Sequence, residues 1–352
     1  MQIDTNTSSL CFDDILLVPK KSNVISRSNI EFKSIIGNPN NQAAWLYLDN
    51  AFVMAPMEFI SSTAMIKKVL EYGGLAFVQR FQPKEDRIAQ YKNLVIESNW
   101  THRLGFSINN KEAEDKNFID EILSMGCKVI LIDTPYGHTD MSVNAVKRLR
   151  TMIPNYIHIM SGNVSSYEAY KDLMDAGADS VRVGIGGGAA CTTRIVTGFG
   201  TPVLGSIMDI YQNVKFDDVN GIVSDGGIKN NGDIVKALAG GASAVMMGTA
   251  FAGHEECDGA KDGKFLFRGL ASEGIQIDKD TGQRPPLNAL HIEGVSAYLE
   301  NKGPVELTIA QIINNVKSGM SYCGSETLKS FREECRFIKV SPQSLRESGS
   351  RI

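Results

Sequence analysis

Cys191 is the residue of this chain best placed to act as a nucleophile. It lies in the segment Val183-Gly184-Ile185-Gly186-Gly187-Gly188-Ala189-Ala190-Cys191-Thr192-Thr193-Arg194. Four glycines in five positions can turn backbone N–H and C=O groups toward a ligand or ion. A thiol at a helix start beyond such a loop can lose its proton readily and meet an electrophile. Thr193, two residues on, offers a hydroxyl for proton relay. The pattern Gly184-x-Gly186-x-x-Ala189 formally satisfies a dinucleotide fingerprint. Its context argues otherwise, because Cys-Thr-Thr-Arg stands where an apolar helix start is needed. No Walker A sequence occurs, since Gly263-Lys264 is followed by Phe265.

The other thiols are Cys11, Cys127, Cys257, Cys323 and Cys335, at irregular separations and with no C-x-x-C pair. That spacing argues against a zinc site. These are expected to be free, mostly buried thiols in a reducing cytoplasm. A second centre of interest is Ser224-Asp225-Gly226-Gly227. An acid beside a Gly-Gly turn is well placed to accept hydrogen bonds from a diol.

These residues need a scaffold. Apolar runs recur at Ala51–Met54, Leu75–Val78, Leu104–Ser107, Val129–Ile132, Ile157–Met160, Ser180–Val183, Gly221–Ser224 and Ala244–Met247. Most are separated by stretches with helical spacing, such as Tyr167–Ala176 before Gly177, and Asp233–Ala239 before Gly240-Gly241. Alternating strand and helix implies an α/β fold with a parallel sheet. Runs such as VILI and AVMM suit a sheet buried on both faces. Eight units fit a (β/α)₈ barrel; an open doubly wound sheet is not separated from it by periodicity. The segments after the strands are small or polar: Ala55-Pro56-Met57, Asp133 to Gly137, Ser161-Gly162-Asn163, Gly184 to Cys191, Asp225-Gly226-Gly227 and Gly248-Thr249. In a barrel these share one rim. Residues 265–293 read as irregular, a helix is expected at Leu307–Val316, and the last dozen residues are polar and expected to fray.

The composition closes off other classes. The formal charge is −4, with 36 Lys+Arg against 40 Asp+Glu, so no basic nucleic-acid footprint is expected. No run of 18 apolar residues occurs, and MQIDTNTSSL has neither the basic nor the apolar part of a secretory signal. One barrel domain over 1–352 is the expectation.

Taken in order, several segments resemble the family of IMP dehydrogenase and GMP reductase. They are CFDDILLVP at 11–19, MAPM at 54–57, VRVGIGGGAACTTRIVTGFGTP at 181–202, SDGGI at 224–228, GTAFAGHEE at 248–256, FRGLASE at 267–273 and HIEG at 291–294. The resemblance implies a (β/α)₈ barrel, a homotetramer, and chemistry at purine C2 through a covalent adduct on Cys191. It implies that Asp225 accepts the ribose hydroxyls and that Gly226, Gly227, Gly248 and Thr249 surround the phosphate. By the same resemblance, Leu270 and Ala271 border the purine and Met57 packs on it. Asp133, Tyr136, Gly137 and His138 would meet the nicotinamide half of a cofactor. Carbonyls of Gly186, Gly188 and Cys191 would hold a monovalent cation such as K⁺. The chain departs from the family at Ala189, where a serine is usual, at Arg80, where a lysine is usual, and at Glu58-Phe59, where Asp-Thr is usual.

Within the family, three features favour GMP reductase. No room exists after the second strand for an inserted CBS pair, although some dehydrogenases also lack one. The flap between Phe267 and Glu293 has Arg284 but, in Gln283-Arg284-Pro285-Pro286, no following tyrosine. The run CTTR resembles the reductase form. Glu293 would then pair with Thr193 to hand a proton to departing ammonia, with NADPH as hydride donor. The alternatives are an NAD-dependent IMP dehydrogenase making XMP and a non-catalytic nucleotide-binding regulator. The resemblance leaves open a deoxynucleotide such as dGMP.

Overall fold

The computed structural model describes residues 10–97, 100–214, 220–269, 271–272 and 292–348. Eight parallel strands make the central sheet: β1 Phe52–Met54, β2 Ala76–Val78, β3 Leu104–Ile108, β4 Val129–Ile132, β5 His158–Val164, β6 Ser180–Val183, β7 Ile222–Asp225 and β8 Ala244–Met247. Neighbours in sequence are neighbours in space, and β8 returns to pair with β1 through Val53 opposite Met246. A further parallel bridge, Val53 to Leu75, joins β1 to the segment entering β2 and closes the ring. The closure decides for the (β/α)₈ barrel over the open sheet. Every residue of VILI and of AVMM is buried, because the ring covers one face and helices the other.

The expected strands fall at their expected places, with shifts of a few residues at the ends. The largest is in β5, which continues through Ser161-Gly162-Asn163 to Val164 instead of ending in a loop. Helices α1 Thr63–Glu71, α2 Lys84–Ile96, α3 Lys116–Ser124, α4 Asp140–Met152, α5 Tyr167–Asp175, α6 Thr193–Val196, α7 Val203–Val214, α8 Asn231–Ala239 and α9 Val305–Ser321 follow in order. Their starts are written in short polar side chains. Ser62, Thr139, Ser166 and Asn230 each accept from a backbone N–H of the first turn. The helix expected at Leu307–Val316 extends in both directions as α9, with Ile309, Ile312 and Val316 buried against the barrel.

Two expectations need correcting. Residues 265–268 are not irregular: strand Lys264–Arg268 pairs antiparallel with Ser296–Glu300 and with Ala260–Lys261. Phe265 and Phe267 are buried at alternate positions between Lys264, Leu266 and Arg268, which is a strand period. Part of the last dozen residues, expected to fray, is also ordered: Pro342–Glu347 is helical, after a strand Phe337–Lys339 that pairs with Ile15–Leu17. Among the described residues no helix is long and apolar enough to cross a membrane.

Candidate active site

The strand ends converge on a cavity of about 830 Å³. Its wall includes Ala55–Met57, Thr134–Tyr136, the whole run Gly184–Cys191, Asp225–Lys229 and Met246–Thr249. Asn163, Arg182, Thr193, Phe199, Ala271 and Glu293 are among its other lining residues. The volume lies in the range that encloses a nucleotide-sized ligand.

The Cys191 loop is stitched to a segment a hundred residues away. Gly188 C=O accepts the Cys191 N–H at 3.0 Å, and Cys191 forms an isolated antiparallel bridge with Gly294. The Thr192 N–H donates to Glu293 C=O at 2.9 Å, and the Val295 N–H to Ala190 C=O at 3.0 Å. The Glu293 N–H donates to Ala271 C=O at 3.0 Å. This backbone zipper brings the Glu293 carboxylate to Thr193 at the start of α6. Thr193 Oγ1 donates to Glu293 Oε2 at 2.7 Å and lies 3.1 Å from Cys191 Sγ. With Thr193 donating onward, the thiol donates to Thr193. The three side chains form one proton path that ends on a carboxylate and opens on the cavity.

Asp225 ends β7, beside the glycine run that follows β6. Asn163 Nδ2 donates to its Oδ2 at 2.8 Å, and Arg182 Nη1 lies 3.6 Å from the same oxygen. Burial pushes the Asp225 carboxyl above the usual carboxylate range, against the pull of Arg182 and the Asn163 hydrogen bond. Gly226 and Gly227 follow at φ +90° and +78°, where glycine alone is unstrained. Gly184 is equally constrained: a Cβ there would lie 1.9 Å from Asp225 C=O, at φ +154°. Gly184→Ala should therefore displace the β6–β7 rim and cost about 3 kcal/mol or more, the range for overpacking plus backbone strain. Urea unfolding of the variant checks this; wild-type stability would remove the close approach. Met57 Sδ packs where a Gly248 side chain would sit, at 2.6 Å from its built Cβ.

The expected cofactor corner divides. Tyr136 is half exposed and lines the cavity. Asp133 does not: it is 1% exposed, between Arg182 Nη2 at 2.6 Å and Arg80 Nε at 3.0 Å. Burial alone would raise its carboxyl, but the two guanidinium groups hold it below the usual range. Gly137 packs on Gly162 and donates its N–H to Asn163 C=O at 2.7 Å. His138 turns outward to Asp172, 2.9 Å away, in a separate depression with Thr139, Asp140 and Lys147. Leu270 and Arg284 lie outside the described residues. Arg182 and Asn163 are additional polar groups of this site that the sequence did not single out. Arg182 hides in Ser-Val-Arg-Val, where one charge inside a buried strand was the available signal.

A family model described as "IMP dehydrogenase / GMP reductase domain" matches residues 9–351. The chain belongs to this family. Among relatives, a GMP reductase of Leishmania major is 38% identical over 268 residues, 73% of this chain and 54% of the relative. An inosine-5'-monophosphate dehydrogenase of Halalkalibacterium halodurans is 36% identical over 270 residues, 75% of this chain and 55% of the relative. The chain thus spans about half the length of these curated relatives. A crystal structure of a GMP reductase from Trypanosoma brucei, in complex with guanosine 5'-monophosphate, superposes with a TM-score of 0.85. It covers 97% of this chain and 98% of that one at 23% identity, which is a likeness of fold. The family's members named here thus include both a reductase and a dehydrogenase, and the choice rests on the site.

Proposed function

We propose that this chain catalyses the reductive deamination of GMP, or of a close analogue such as dGMP, to IMP with NADPH. The observation that carries this reading is the unbroken Cys191–Thr193–Glu293 hydrogen-bond path on the cavity. An amine leaves C2 poorly unless it is protonated, and a hydroxyl backed by a carboxylate can deliver that proton. The Cys191 sulfur adds to C2 as its proton passes through Thr193 to Glu293. The same path returns a proton to the amine, the C2–N bond breaks, and ammonia departs, leaving the purine held by a C2–S bond. When bound, NADPH would supply hydride to C2, and the Cys191 sulfur would leave as the thiolate as IMP is released.

The Asp225 carboxylate takes the ribose hydroxyls, and the backbone of Gly226, Gly227 and Gly248 with Thr249 holds the phosphate. Thr134, Pro135 and Tyr136 line the same cavity as Cys191 and would hold the nicotinamide there. The carbonyls of Gly186, Gly188 and Cys191 would hold a monovalent cation, with the Gly188 carbonyl also accepting the Cys191 N–H. These donors are neutral oxygens, and among the described residues no cluster of acidic, His or Cys side chains forms a divalent site. Its role would be to hold the loop carrying Cys191. Homotetramer assembly suits the exposed apolar side chains Ile195 and Phe199 beside the rim. The six free thiols suit a reducing cytoplasm.

The test mixes the chain with GMP and NADPH and follows the reduced cofactor by absorbance. Oxidation of NADPH with release of IMP is expected. Conversion of IMP to XMP with NAD instead selects the dehydrogenase, with Arg284 the next residue to substitute. Nucleotide-dependent melting without turnover selects a binding protein. Asp225→Ala is expected to weaken GMP binding by about 1.5–3 kcal/mol per lost charged hydrogen bond. Calorimetric titration measures it, and an unchanged affinity would remove Asp225 from the ribose.

A further inference from the structure

We infer that Arg182 is a positioning residue that aims the Asp225 carboxylate and so sets a preference for ribo- over 2'-deoxyribonucleotides; the inference rests on the nucleotide reading above. Arg182 lies on β6 and is 2% exposed. Its guanidinium spans two carboxylates from different strands. Nη2 donates to Asp133 Oδ1 at 2.6 Å, and Nη1 reaches toward Asp225 Oδ2 at 3.6 Å. Asp133 is held from its other oxygen by Arg80 Nε at 3.0 Å. Asp133 therefore acts as a fixed post, and Arg182 as the strut from it to Asp225.

The strut and Asn163 both address Oδ2 of Asp225, so neither occupies Oδ1, and Asp225 lines the cavity. A ribose diol presents two O–H donors. An ionised carboxylate can accept both, whereas a protonated one has to spend an oxygen as donor. Burial, with the Asp133 charge as a smaller contribution, works to protonate Asp225, and Arg182 works against it. The cost of the arrangement is visible in Arg182 itself. Its Nε is buried with no hydrogen-bond partner, so the side chain is oriented for the two carboxylates and not for its own satisfaction. A lysine brings a single point charge and cannot span two carboxylates with a planar fork.

The experiment titrates GMP and dGMP, without cofactor, into the wild-type chain, Arg182→Lys and Arg182→Met, with thermal melting as the check of fold. Wild type is expected to prefer GMP by about 10- to 100-fold, the value of a charge-assisted hydrogen bond. In Arg182→Lys the preference should fall to within about threefold through loss of GMP affinity, with dGMP affinity changed less than about threefold. Arg182→Met should do the same if it folds, and the lysine variant decides if it does not. Equal weakening of both nucleotides, or an undiminished ratio in Arg182→Lys, overturns the inference and leaves GMP binding standing. A wild type that binds GMP without preferring it over dGMP also overturns it. A wild type that binds neither nucleotide overturns the nucleotide reading itself.

Discussion

Replacing Cys191 with alanine is expected to lower turnover by at least about 10⁴-fold while GMP still binds. The size follows from the role, because removing a covalent nucleophile removes the intermediate on which both half-reactions depend. Binding should survive, because in the proposed mode the ribose and phosphate contacts come from the ends of β7 and β8 and not from the sulfur. Intact-protein mass spectrometry adds a direct reading: wild type trapped during turnover should carry the purine nucleotide mass, and the variant should not. Turnover within tenfold of wild type would end the covalent mechanism. The other thiols supply the contrast. Cys127 is buried, with its thiol pushed up to about 11 by that burial, and Cys257 is likewise raised by burial. Neither lines the cavity, so alanine at either position should leave the chemistry within about twofold of wild type.

Much of the scaffold was legible because a parallel barrel writes its strands as short apolar runs between helical ones. VILI and AVMM have no solvent face, and the caps at Ser166 and Asn230 mark the helices between such runs. Closure was not legible. It depends on Val53 meeting Leu75, and the period of a strand is the same in an open sheet. The strand at Lys264–Arg268 was not legible, because its burial alternates while its three middle residues, Phe265, Leu266 and Phe267, are all apolar.

In the site, the meeting of Cys191, Thr193 and Glu293 matches the pairing that the family resemblance implied. The cause is a backbone zipper through Gly294 and Val295 that side-chain patterns do not encode. His138 shows the opposite limit. The family resemblance put His138 with Tyr136 at the cofactor, but a turn packed on Gly162 sends His138 to Asp172 on the outer surface. Arg182 was hidden for a third reason: a charge in a strand is visible in sequence, but its partners, Asp133 and Asp225, come from other strands.

Glu293→Gln separates the two halves of the reaction and tests the proton path directly. Glutamine keeps the shape and can still accept from Thr193, but it cannot store a proton at neutral pH. The thiol proton then has no carboxylate to travel to, and the leaving amine has none to draw from. Deamination should slow by about 10²–10⁴-fold, the usual contribution of general acid–base catalysis. Forming the adduct from IMP and oxidised cofactor shares the loss of the thiol proton but needs no proton on a leaving nitrogen, so it should slow less than deamination. Rapid-mixing kinetics of the two half-reactions gives the comparison. Equal loss in both would confine Glu293 to the step they share, accepting the thiol proton through Thr193. No loss in either would mean that it only braces the Cys191 loop through its backbone bonds to Thr192 and Ala271, which the substitution leaves in place. A selective loss in deamination ties the direction of the chemistry to one carboxylate, held 2.7 Å from Thr193.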